Sequence, residues 1–229
     1  MVRMYILTKW QLRLLIKYNI LYVALVIALF YVTAIMFLNK FNIDRLAIYT
    51  IFSDPSQLGF IFIGAIILFE KSENTLPAQN ITPMLPIEYL WAKALALMIP
   101  ALICSLGIAF AAWQFAFNIG LLLLTVSFAS IIFTFLGIAG VAHVKTFNQY
   151  MLVIPLFLAP TALPLLNFFE LTDWKLLYVI PTQSVLSLLS YSIDDLKFLP
   201  VLAHISYLLI WVYISYKLAF RSFTKHLIK

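Results

Sequence analysis

The chain has 229 residues, 64% of them hydrophobic and only 10% charged, with a net charge of +6 and a mean hydropathy of +1.03. Soluble domains carry about a quarter charged residues, so this composition excludes an aqueous globular core and points to membrane-spanning helices. The length suits one membrane domain over 1–229, and the single Cys104 excludes an internal disulfide framework.

Residues 1–18, "MVRMYILTKWQLRLLIKY", begin with charge and continue apolar, as a signal peptide does. They lack a small-x-small cleavage site, and the apolar run that follows is too long for a signal core. Lys9, Arg13 and Lys17 recur every four residues, with Leu7, Trp10 and Leu14 on a neighbouring face. That pattern predicts an amphipathic helix lying in the inner interface, its basic edge against anionic headgroups.

Asn19–Leu38 is uncharged over 20 residues, enough for one crossing at 1.5 Å per residue. The second span is less regular, because Pro55–Phe69 gives only 15 uncharged residues. Its start is predicted near Leu46–Ile51, with Asp54 at the outer end and a break at Asp54-Pro55, since proline disfavours helix before it.

A polar stretch follows, "LFEKSENTLPAQNITPMLPIEYLWAK", in an otherwise oily chain. Ser72 or Asn74 can cap a short helix here, and Pro77 is tolerated only in a first turn. Past Pro86 the chain re-enters the membrane, with Tyr89 and Trp91 suited to an interfacial aromatic belt and Lys93 to snorkelling.

From Ala94 to Ala142 there is no formal charge over 49 residues. As one helix that run would be roughly 74 Å long, so it must fold back, and "WQFAFNIG" at 113–120 is the turn. Thr146–Phe169 and Phe198–Tyr216 complete six spans. Between them, 176–193 is uncharged but interrupted by Pro181. Lysine and arginine decide its nature, because cytoplasmic loops are enriched in them. Six spans place 11 of these cations inside and four outside (Lys40, Arg45, Lys175, Lys197). A seventh crossing would reverse much of that bias. Residues 170–197 are therefore expected to form an outer or re-entrant hairpin, with both ends of the chain in the cytoplasm.

Pumps built on buried carboxylates place charge deep in the membrane, where it is costly. The predicted span centres carry none: Asp54, Glu70 and Lys217 fall near span ends. No G-x-x-x-x-G-K-[ST] is present to cradle ATP phosphates, and no Gly-x-Ser-x-Gly elbow appears. His143, His204 and His226 lack metal-ligand spacing. No metal or cofactor is expected in the chain. The excess of positive charge fits an inner lipid surface better than nucleic acid.

The polar stretch resembles the E-[KR]-x-x-x-T-L-x-x-x-x-[VI]-T-P-x-x-x-x-E-Y-[LI]-x-x-K pattern of ABC-2 type transporter permeases. Glu70, Lys71, Thr75, Leu76, Ile81, Thr82, Pro83, Glu88, Tyr89, Leu90 and Lys93 meet it. "DPSQLGFIFIGAIILFE" and "VIPTQSVLSLL" are similar to the small fluoroquinolone-export permease branch. Asn74 stands where the common form has glycine, and Pro77 where an acidic residue is frequent.

The resemblance implies an all-α membrane protein like the type V exporters. It would have six transmembrane helices, an amino-terminal connecting helix and a re-entrant hairpin between spans five and six. A cytoplasmic coupling helix would lie between spans two and three, within 70–88. It implies a half-transporter: two permease subunits, identical or paralogous, pair in a bacterial cell membrane, and two separate ATPase subunits bind ATP and Mg. Glu70, Glu73, Asn74, Thr75, Leu76, Asn80, Thr82 and Pro83 would carry the coupling to the ATPase, with Glu70 anchoring the elbow by pairing with a nearby base or helix end. A substrate path between copies would draw on Phe60, Phe62, Pro155, Phe157, Pro160 and Phe168. The cargo would be a hydrophobic or amphiphilic compound, drug-like, peptide or lipid-like, moved outward. A bacteriocin-immunity permease and a non-transporting scaffold are the alternatives. An importer is disfavoured, because no E-A-A-x-x-x-G core is present.

Overall fold

The computed structural model describes residues 2–38, 43–73, 85–194 and 198–226, and no strand occurs among them. Six helices are long and apolar enough to cross a membrane. The first helix, α1 (Val2–Lys17), precedes them and ends at Asn19, whose φ of 58° turns the chain into α2 (Ile20–Leu38). Gln11 and Leu15 are buried against the bundle, Tyr5, Ile6 and Trp10 are exposed, and so are Lys9, Arg13 and Lys17. The helix thus has a protein face, an apolar face and a basic edge, as an interfacial helix requires.

The second span is a composite over Asp44–Ser72: α3 (Asp44–Ile51), a π-helical turn at Phe52–Ser56 containing Pro55, and α4 (Leu58–Ser72). The break falls where proline removes a backbone donor, and Ser56 Oγ compensates by donating to the Ile51 carbonyl at 3.0 Å. Asp54 is not at the outer end. It lies ten residues inside Asp44, or about 15 Å along a helix.

The third span, α5 (Pro86–Trp113), opens with proline at its first position, and Glu88 accepts the Leu85 N–H at 3.1 Å. The fourth, α6 (Ile119–Val141), is capped by Asn118, whose side chain accepts from Leu121 N at 2.9 Å. The turn between them matches the predicted 113–120. α7 (Phe147–Ala162) and α8 (Pro164–Phe168) form the fifth span, and α10 (Phe198–His226) the sixth. α10 runs ten residues past the predicted end at Tyr216, because Lys217, Arg221 and Lys225 extend the helix out of the apolar layer rather than stopping it.

Between α8 and α10, a 3₁₀ turn (Lys175–Val179) leads into α9 (Pro181–Tyr191). At 11 residues, α9 is about 16 Å long and too short to cross. It is buried against α6 and α10, with Ser184 meeting His204 at 3.1 Å and Asn118 N donating to Ser192 O at 2.7 Å. The segment is packed on protein and, among the described residues, adds no further helix long enough to cross a membrane.

α6 is the centre of the bundle, contacting α4, α5, α9 and α10. In lipid, helices associate by close packing rather than by water exclusion, which favours small residues at the contact. Gly59 faces Thr134 and Ser130, Gly137 faces Ile63 and Phe60, and Gly64 lies under the Tyr150 ring, each too close to admit a methyl group.

Candidate functional site

The polar stretch at 74–84 lies outside the described residues, and with it Asn74, Thr75, Leu76, Asn80, Ile81, Thr82 and Pro83. Its two feet are described, and they meet. Glu70, in the last turn of α4, and Lys93, in the second turn of α5, form an ion pair at 2.6 Å, with 2% and 1% of their side chains exposed. Tyr89, one turn before Lys93, donates its hydroxyl to the other Glu70 oxygen at 2.6 Å. Lys93 also donates to Gln11 Oε1 of α1 at 3.1 Å, and its ammonium lies 4.7 Å from the Tyr89 ring centroid. The Tyr89 ring in turn stacks on Phe223 of α10, centroids 4.7 Å apart.

Four helices thus converge on one buried charge pair. Burying two ions costs several kcal/mol each, and the cost is recovered only where geometry and added hydrogen bonds are good. Here both carboxylate oxygens are engaged, and the ammonium has a carboxylate, an amide oxygen and a ring face. Two sequence expectations are corrected here: Lys93 does not snorkel, and Tyr89 is buried rather than in an interfacial belt. Trp91, placed in that belt too, packs between Phe135 and Tyr216.

A second tier of contacts straps α1 along the same feet. Glu73 accepts a 2.8 Å hydrogen bond from the Tyr18 hydroxyl and sits 3.8 Å from Lys17, while Arg3 lies 3.7 Å from Glu88. Burial, and then the Glu73 carboxylate, push the Tyr18 phenol up to about 12. Lys71 turns the other way and donates to the Val144 carbonyl at 3.0 Å, tying the foot to the α6–α7 loop. The feet of the turn and α1 are therefore tied together by ion pairs and hydrogen bonds.

The sequence profile of the fluoroquinolones export permease protein family matches residues 2–229. This chain belongs to that family. Two proteins named fluoroquinolones export permease protein, from the CDC 1551 / Oshkosh and H37Rv strains of Mycobacterium tuberculosis, are each 29% identical to it over 156 residues. The aligned part covers 66% of this chain and 65% of each relative.

The residues proposed for a path through this family member divide between two sides of α4. Phe60 is fully buried between Tyr150 and Phe157, with ring centroids 6.1 and 5.6 Å away. Phe62 packs toward Ala24, Ala28 and Cys104, on the side of α2 and α5. Pro155 lines an open groove of about 320 Å³ between the second and fifth spans, with Tyr49, Phe52, Ser53, Gln57 and Leu158. Pro160 is exposed on α7, and Phe168 lines a different cavity, of about 530 Å³, at the end of the bundle away from α1. Asp44, Arg45, Glu170 and Asp194 also line that cavity, and Arg45 pairs with Glu170 at its rim.

Sequence reasoning missed Lys93, Tyr89 and Gln11 as members of the charge cluster. The signal was present for two of them, since both stand in the motif that names Glu70. It also missed Asp54, which lies within the span beside Tyr31, Pro55 and Cys104 at a cavity of about 10 Å³, room for one water. Asp54 Oδ2 is buried without a hydrogen-bond partner among the described residues.

Proposed function

We propose that this chain is the membrane-spanning permease subunit of an ATP-driven ABC exporter that moves a hydrophobic or amphiphilic compound outward. The observation that carries the reading is the Glu70–Lys93 pair, which fastens both feet of the polar turn to α1 through Gln11. A turn held this way transmits force. If a partner ATPase presses on 74–84, the buried pair passes the displacement to α4, α5, α1 and, through Phe223, to α10. Such a switch needs a ligand that favours one of two packings, and ATP bound by two separate ATPase subunits supplies it. The end carrying α1 and the turn faces the cytoplasm in this reading, with both ends of the chain inside and the Arg45–Glu170 rim outside. The names of the two mycobacterial relatives support a drug-like cargo, and the groove between the second and fifth spans is the stretch of path one subunit would contribute. Pairing of two permease subunits across that groove, in a bacterial cell membrane, completes the assembly.

The test is reconstitution with a candidate ABC ATPase subunit from the same organism. Stimulated ATP hydrolysis is expected, and replacing residues 73–80 by a Gly/Ser sequence of equal length should abolish it while leaving the protein folded. Hydrolysis that is indifferent to that replacement would assign the turn to a scaffold role instead.

A further inference from the structure

The last turns of α10 carry Lys217, Arg221 and Lys225 at a spacing of four, so all three lie on one helix face. Like charges at this spacing weakly disfavour one another, and a bound anion would relieve that. Lys217 lies over the Tyr213 ring, leaving Arg221 and Lys225 to face such an anion. The ion pairs among the described residues engage Arg3, Lys17, Arg45 and Lys93, none of these three. Arg221 and Lys225, with His143, Ser222 and Thr224, line a pocket of about 400 Å³ between α10 and the α6–α7 loop. Lys145 continues the same loop, and Lys71 reaches it through the Val144 carbonyl. The carboxylates at the end of α4 are engaged elsewhere, Glu70 with Lys93 and Glu73 with Tyr18 and Lys17.

Along the same face of α10, toward the membrane interior, Ile210, Ile214 and Leu218 are exposed at 55%, 38% and 45%. A cationic cup above an apolar strip on one helix face has the profile of a phospholipid. We infer that this pocket is a binding site for an anionic membrane phospholipid. Its phosphate lies against Arg221 and Lys225 with the Ser222 hydroxyl beside them, and its chains lie along Ile210, Ile214 and Leu218. Basic pockets between spans at the cytoplasmic surface suit such headgroups. A free phosphate would use the cup and leave the strip without a role. The positive-inside bias alone explains cations at this end, but not their concentration around one concavity continuous with an apolar strip.

The experiment uses the full-length permease in neutral detergent with phosphatidylglycerol or phosphatidylcholine carrying a photoreactive chain, and maps the labelled peptides. Phosphatidylglycerol should label the Ile210–Leu218 segment in preference to phosphatidylcholine. In Arg221→Gln/Lys225→Gln that preference should fall by roughly thirtyfold, at ~1 kcal/mol for each cation near the surface. Unchanged thermal unfolding of this variant in phosphatidylcholine alone shows that its fold is retained. Equal labelling by both lipids, or a preference that survives the double substitution, would overturn the site. Loss of the label on adding millimolar inorganic phosphate would give the cup to a free anion and overturn the lipid assignment. The permease is tested alone, so failure here leaves the ATP-coupling proposal standing.

Discussion

Lys93 illustrates how one residue changes meaning with its surroundings. On sequence it is an interfacial lysine near the start of a span, yet it is buried against Glu70, Gln11 and the Tyr89 ring. Lys93→Met removes the cation that answers the buried Glu70 carboxylate. We expect a loss of about 3–5 kcal/mol, the range for removing one partner of a buried pair. Glu70→Met/Lys93→Met removes both charges and should recover most of that stability, because the desolvation cost disappears with the pair. Equilibrium unfolding in mixed detergent reads both variants. The double variant should nonetheless lose stimulated ATP hydrolysis, and full activity there would break the link between the pair and coupling. Tyr18 gives a pH signature at the rim of the same cluster. Its phenol is raised from 10.0 to about 12 in the folded chain, so the neutral, donating form is favoured by folding. Its contribution is complete below pH 10 and lost as pH rises through 12. The stability difference between the protein and Tyr18→Phe should therefore be constant at neutral pH and shrink above 10. A difference that grows there would contradict the assignment. The site was half legible in this respect: the acidic foot and its need for a base could be read from Glu70. The base itself could not, because lysine near a span end snorkels by default and only tertiary packing shows otherwise.

At the scale of the helix, five of the six spans were legible because each carries a long uncharged run. Cation asymmetry and Pro181 argued against a seventh crossing between the fifth and sixth. The break in the second span was signalled by Pro55, but the depth of Asp54 was not. The chain starts α3 at Asp44, whose carboxylate accepts from Trp113 Nε1 at 2.9 Å, and so places residues 44–54 ahead of the uncharged run that begins at Pro55. Contacts between helices left the weakest trace, since a glycine in an apolar run announces neither its neighbour nor its distance. Gly64 is the informative case. The Tyr150 ring lies directly on it, and the Tyr150 hydroxyl donates to the Phe60 carbonyl, so this one contact clamps α7 to α4. Gly64→Ala should destabilise the protein by about 1–3 kcal/mol, because the ring is buried and cannot swing clear. Tyr150→Phe, which keeps the ring and removes only the hydrogen bond, should cost about 1 kcal/mol. Thermal unfolding in detergent ranks the two, and a harmless Gly64→Ala would mean that α7 is not clamped here.

At the scale of the molecule, the question is which surface meets lipid and which would meet a second copy in the proposed assembly. The windows of α2, α7 and α10 are only 22%, 11% and 11% buried, so three spans offer candidate faces. They differ in what accompanies the apolar surface. Beside α2 and α10 the exposed side chains in the span are mainly aliphatic and aromatic, such as Val26, Leu29 and Phe30, or Leu209 and Ile210. Beside α7 the groove to the second span also presents Tyr49, Ser53 and Gln57. Lipid tails offer no hydrogen-bonding partner to such groups, whereas a facing protein surface or a water-filled path does. If two copies pair as proposed, this asymmetry favours a pairing surface along α7. Leu152 and Leu156, exposed at 76% and 70%, share the α7 face that carries Ala159 into the groove. A cysteine at Leu156 should therefore join two copies when native membranes are treated with a short thiol cross-linker. Phe30→Cys, on the exposed face of α2, should leave the chain monomeric under the same treatment. Cys104 is buried and free, so the unmodified protein serves as the background. Cross-linking through Phe30→Cys with none through Leu156→Cys would move the proposed pairing surface to α2 and overturn the proposed path between the second and fifth spans.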